Sequence, residues 1–243
     1  MSAERRPLPV DRLLLAALFV TALVTAQLTA AKLLAFGLPF SLPSAGSALV
    51  LPGAALAYAL TFFASDCYAE LYGRRAAQEL VNVAFAMNFV VLALVQSTIA
   101  APAADPEFAS TFATVLGAST NIVAGSLLAY IVSQNWDVIV FHRIREYTDG
   151  AMLWARNLGS TASSQLLDTV IFVGTAFFVL PALGIGTELG LPLLASQGPS
   201  ILALIVGQYV FKLGVAVLDT PFVYAVVRAA RSREATERRL FVE

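Results

Sequence analysis

The chain has 243 residues, of which 58% are hydrophobic and only 13% charged, with a formal net charge of −1. A soluble domain of this length carries about a quarter charged residues, so a water-soluble globule is excluded, and no basic stripe is available to hold nucleic-acid phosphates. A single cysteine, Cys67, and a single histidine, His142, exclude an intrachain disulfide and a Cys- or His-based metal site, and no cofactor is expected.

What charge remains is gathered between long apolar runs, each of about 20 residues and therefore able to cross roughly 30 Å of hydrocarbon as a helix. The runs are too long for barrel strands and do not alternate, so helices are predicted. The expected fold class is all-α: a polytopic integral membrane protein of about six transmembrane helices. The predicted spans are 13–36, 49–69, 80–101, 112–134, 155–180 and 200–227. The first run is too long for the apolar core of a signal peptide and lacks a cleavage site, so it is expected to remain as a span. No linker divides the chain, which reads as an N-terminal segment (1–12), one six-helix domain (13–228) and a basic tail (229–243).

The fifteen Lys and Arg fix an expected orientation. Arg5, Arg6 and Arg12 precede the first span, Arg74 and Arg75 separate the second from the third, Arg143, Arg145 and Arg156 surround the fourth loop, and Arg228, Arg231, Arg233, Arg238 and Arg239 follow the last. The remaining loops carry Asp105, Glu107 and Glu188 but no Lys or Arg. By the positive-inside bias both termini lie in the cytoplasm. The basic tail reads as a topology anchor, with anionic-lipid binding as the alternative.

Charged groups within the spans are costly, roughly 2.5–3.5 kcal/mol each at mid-bilayer, and so mark either pairing or function. Lys32 falls in the first span, Asp168 in the fifth, and Lys212 and Asp219 in the sixth, with Asp66, Glu70 and Asp137 near span ends. In the fifth span Asn157, Ser160, Thr161, Ser164 and Asp168 form one helical stripe with Gln165 beside it, and the opposite face is expected to run through Leu158, Ala162, Leu166, Val170 and Phe172. Such a stripe fits the wall of a water-filled cavity. Gln208, Lys212 and Asp219 repeat the pattern in the sixth span, and Thr21, Thr25, Thr29 and Lys32 in the first. The plainer reading is that the lysines tie helices together by pairing with Asp168 and Asp219. Asp66, Glu70 and Arg74 share a face and read either as a helix-end ion pair stopping at Gly73 or as a carboxylate gate. Ser-Gln-x-x-Asp occurs twice, as Ser133-Gln134-x-x-Asp137 and Ser164-Gln165-x-x-Asp168, a short repeat of little weight by itself.

Taken together, Ser65-Asp66-x-x-Ala69-Glu70-x-Tyr72-Gly73, the run from Ser133 to His142, Trp154-x-Arg156-Asn157 continuing to Asp168, Gln208-Tyr209-x-x-Lys212 and Lys32 resemble the queuosine precursor transporter family. The pattern departs at Gln27, where the family has Asn before the lysine. The resemblance implies uptake of a 7-deazaguanine (preQ0, preQ1 or queuine) across a prokaryotic plasma membrane for tRNA modification. It implies a site between the first, second, fifth and sixth spans: Asp168 accepts from the base edge, Gln165 and Lys32 assist, Lys212 balances Asp168 or Asp219 in the empty site, and Asp66 and Glu70 line the inner mouth. Gln27, Gln134, Asp137 and Asn157 complete the candidate set. Phe63, Phe85, Phe89, Phe172 and Tyr209 are candidates for stacking on a flat ring. The alternative is a substrate-binding membrane subunit that borrows an ATPase, since the chain has no phosphate-binding loop. A homo-oligomer is also compatible with the sequence. An intramembrane enzyme is disfavoured, because Asp168 lacks a Gly-x-Gly-Asp approach and the chain has no HExxH.

Overall fold

The computed structural model describes residues 10–42, 46–149, 152–185 and 201–240. Helix α1, Val10–Thr29, leads into an antiparallel hairpin of β1, Leu33–Leu42, and β2, Gly46–Pro52. There follow α2, Ala54–Tyr72, α3, Arg74–Ala100, α4, Pro106–Gly117, and α5, Ser119–Tyr147. The chain continues with α6, Leu153–Gly174, a π-turn over Thr175–Val179, the short α7, Leu180–Ala182, and α8, Ile201–Leu240.

Five helical runs among the described residues are long and apolar enough to cross a bilayer. Helix α2 has the length, 19 residues, but Asp66 and Glu70 dilute its apolar character. It lies between α1, α3 and α8, and with it the bundle has about six crossings, as expected for a multi-pass membrane protein.

The hairpin was not foreseen. The first predicted span, 13–36, ends as helix at Thr29, and the second, 49–69, begins as strand. Apolar content alone cannot separate a short buried strand from a helix end; here the two flanking runs satisfy their backbone groups on each other instead. Leu34 stands opposite Leu51, Ala35 opposite Val50, and Phe36 opposite Leu49. Lys32 is therefore an exposed residue of the turn after α1 rather than part of a span, and its carbonyl accepts from Gly53 N–H at 2.6 Å. The hairpin seats on α8 at Gly207, where any Cβ would run into the Val50 carbonyl oxygen.

Other boundaries follow local chemistry. Helix α4 starts where Asp105 accepts from the backbone N–H groups of Glu107 (3.0 Å) and Phe108 (3.2 Å), with Pro106 in its first turn. The predicted span 112–134 lies inside a longer helical run over Pro106–Tyr147, bent at Ala118. Gly73, at φ 88°, turns the chain between α2 and α3 in one residue, a conformation that side chains with a Cβ disfavour. The π-turn falls just before Pro181, which has no N–H to continue the ladder. Pro221, by contrast, sits inside the continuous α8, which also runs through the expected tail boundary at 229.

Three apolar clusters stack along the bundle. At the hairpin end, Ala26, Ala30, Val50, Ala54, Phe172 and Leu204 pack together with neighbours from α5. Phe19, Leu23, Ala64 and Ala84 form the middle, and Leu15, Cys67, Tyr68 and Ala77 the far end. The outer faces carry exposed apolar side chains, among them Val83, Phe89, Val90 and Leu94 on α3 and Val217, Leu218 and Phe222 on α8. A belt of that size on a membrane protein is the lipid-facing surface.

Candidate functional site

A cavity of about 350 Å³ opens between the hairpin-end cluster and the far end of the bundle. Helical spacing brings its wall together: Tyr58, Thr61, Phe62 and Ser65 form one stripe of α2, and Ser126, Ala129, Tyr130 and Ser133 one stripe of α5. Helix α6 adds Gln165, Asp168 and Phe172, and α8 adds Gln208 and Lys212. The volume suits a small-molecule ligand.

The charge centre of this wall is one ion pair. Lys212 Nζ lies 2.5 Å from Asp168 Oδ2, with the lysine side chain 9% exposed and the aspartate 26%. Ser133 donates to the other oxygen, Oδ1, at 3.4 Å. The short repeat noticed in the sequence acquires a meaning here. While Ser133 of the first motif reaches Asp168 of the second, Ser164 of the second donates to Asp137 Oδ1 of the first at 3.2 Å. Two antiparallel helices thus exchange the same Ser–Asp bond twice, around a local twofold axis. Trp136 Nε1 donating to Ser163 Oγ at 3.1 Å adds a third tie. The two motif glutamines, Gln134 and Gln165, both reach the cavity wall.

Of the residues expected from sequence, Asp66, Gln134, Gln165, Asp168 and Lys212 line this cavity. Asp66 also borders a second cleft with Glu70 and Asp219, between α2 and α8. There Glu70 faces Arg231 of α8, 3.7 Å between Oε2 and Nη2; the break at Gly73 puts Arg74 on a new helix. Asp137 is held behind the wall by Ser164. Gln27 is buried, 2% exposed, without reaching the cavity. Lys32 lies on the exposed turn, away from the cavity. The side chain of Asn157 lies outside the described residues.

The threonine stripe of α1 is exposed, and two of its hydroxyls are satisfied locally: Thr25 donates to Thr21 O and Thr29 to Thr25 O, both at 2.8 Å. Similarly, Ser160 and Ser164 are buried, at 2% and 7% exposed, so much of the polar stripe of α6 is a helix contact rather than a wetted wall. Among the aromatic candidates Phe85 and Phe172 line the cavity. Phe89 is exposed, Phe63 packs with the far-end cluster, and Tyr209 donates to Ala162 O at 3.2 Å. Sequence reasoning passed over Tyr58, Phe62 and Tyr130, the last stacked on Phe85 with ring centroids 4.6 Å apart. The 58, 61, 62, 65 spacing leading into Asp66 was the signal for the first two.

Residues 52–226 match a protein family described as "Putative vitamin uptake transporter". A protein of Bacillus subtilis (strain 168) named "Probable queuosine precursor transporter" is 32% identical over 171 residues, which are 69% of this chain and 68% of that protein. No solved structure matches the chain.

Proposed function

This chain belongs to the vitamin uptake transporter family, and from that membership we propose that it carries a 7-deazaguanine, a queuosine or archaeosine precursor, through a prokaryotic plasma membrane into the cytoplasm. The observation that carries this reading is the Lys212–Asp168 pair on the wall of a cavity of about 350 Å³ within an apolar bundle. Ionisable groups at such a place mark substrate pathways, and they pair with one another when the site is empty. The name of the Bacillus relative supports the substrate class.

In this reading Asp168 accepts two adjacent N–H groups from the guanine-like edge, which a carboxylate does bidentately. Lys212, released from the pair, donates to the ring carbonyl. Phe85, Phe172 and Tyr58 supply faces for the flat ring. Gln134 and Gln165 contact polar atoms along the wall, and Asp66 guards the side on which the second cleft lies. The clustering of arginines supports that side as cytoplasmic, and the family description supports uptake as the direction. The alternative, a subunit dependent on an ATPase, gains no support from either match.

Uptake of labelled 7-deazaguanine precursors into cells unable to make them tests this. The wild type is expected to accumulate label, and Asp168→Asn, inserted in the membrane at a normal level, is expected to lose accumulation. Full uptake by that variant would remove Asp168 from the pathway, and none by a well-inserted wild type would sink the substrate class.

A further inference from the structure

One wall residue has no part in the ion pair or the α5–α6 clasp. Gln208 stands one helical turn before Lys212 on the same face of α8. It is 4% exposed and borders the cavity, yet its Oε1 is buried with no hydrogen-bond partner among the described residues. The next residue along the wall with the same property is Gln165, whose Oε1 is likewise buried and unpartnered. A buried carbonyl oxygen without a donor costs about 1–3 kcal/mol, so native proteins keep few of them. Two on one small cavity, flanking a carboxylate, are a pattern to explain.

Around the Lys212 ammonium the wall groups three acceptors, Asp168, Gln165 Oε1 and Gln208 Oε1, beside the amide N–H groups of the same glutamines. A ligand that satisfies these acceptors must bring several N–H groups in one plane. We propose that Gln208 is a specificity-determining residue, its side-chain carbonyl accepting one N–H of the transported heterocycle that Asp168 does not take. This rests on the 7-deazaguanine reading and deepens it. The free base offers a ring N1–H, two N–H bonds of the exocyclic amine, and the N9–H of the five-membered ring. Asp168 uses two of these donors, and Gln208 takes one of the remainder. A site so built rejects analogues that lack the donor, because the buried oxygen is then left unpaired.

The test is binding to the purified full-length protein in detergent, by calorimetry, with three probes: 7-deazaguanine, 7-deazahypoxanthine (no exocyclic amine) and N9-methyl-7-deazaguanine (no N9–H). The wild type is expected to bind the first and to discriminate against the other two by about tenfold or more. Gln208→Met, close in shape but without the acceptor, is expected to lose about tenfold in affinity for 7-deazaguanine and about tenfold of its discrimination against the analogue that lacks the donor Gln208 takes. Gln208→Glu keeps an acceptor and is expected to keep the discrimination, which also covers the case of a Met variant that does not fold. If Gln208→Met weakens all three probes equally, or Gln208→Glu loses discrimination against both analogues, Gln208 is structural and the proposal fails while the transporter reading stands. If the wild type binds none of the probes, the substrate class itself is wrong, and the role of Gln208 falls with it.

Discussion

Asp168 and Lys212 illustrate how much a single contact governs. The pair lies in a setting where each charge is tolerable only through the other. Lys212→Met alone leaves a carboxylate with only the 3.4 Å bond from Ser133, and is expected to destabilise the protein by about 3 kcal/mol. Adding Asp168→Asn removes the orphaned charge and is expected to recover most of that loss, although uptake stays absent. Thermal unfolding of the three variants in detergent measures the recovery; a double variant no more stable than Lys212→Met would mean that the pair contributes through packing instead of charge. Both residues were legible in sequence, because an ionisable group inside an apolar run is conspicuous. Lys32 was conspicuous for the same reason, yet it occupies an exposed turn. Its run was read as one helix when it is a helix followed by a strand.

At the scale of elements, the contacts that set the bundle are close approaches and repeated polar ties. Gly207→Ala places a methyl against the Val50 carbonyl, with no flexible side chain to give way. It is expected to cost about 1–3 kcal/mol by overpacking. Gly214→Ala, on the same helix, meets nothing within 4 Å and is expected to be neutral or slightly stabilising by helix propensity. Comparing their melting temperatures checks whether the hairpin is seated on α8 as described. The Ser–Asp clasp makes a second prediction. Ser133→Ala and Ser164→Ala are each expected to cost about 1 kcal/mol, and a double-mutant cycle to show coupling, since both bonds hold one crossing of α5 and α6. Strict additivity would mean that the two bonds act independently. The repeat was visible as letters, but the reciprocity depends on the antiparallel register of α5 and α6.

For the whole molecule, the arginine distribution and the number of spans predict that both termini share the cytoplasmic side. Reporters fused at either end, active only in the cytoplasm, are expected to be active from both; activity from one end alone would require an odd number of crossings. Cys67 is fully buried and the chain's sole cysteine, so a Cys67→Ala background suits single-cysteine accessibility mapping of the loops. The sequence by itself determined the membrane class and the approximate spans, and it picked out the ionisable residues inside apolar runs. These follow from transfer free energies, which depend on composition over about 20 residues and not on what each residue touches. Only the tertiary structure decided which polar stripes face a cavity. A threonine that back-bonds to its own helix, a serine that ties two helices and a glutamine that lines a cavity look alike along one helix, and the neighbouring helices determine which of these each becomes. The hairpin was hidden for a related reason: its strands are as apolar as the helices they join, and their pairing with each other, not their composition, makes them strands.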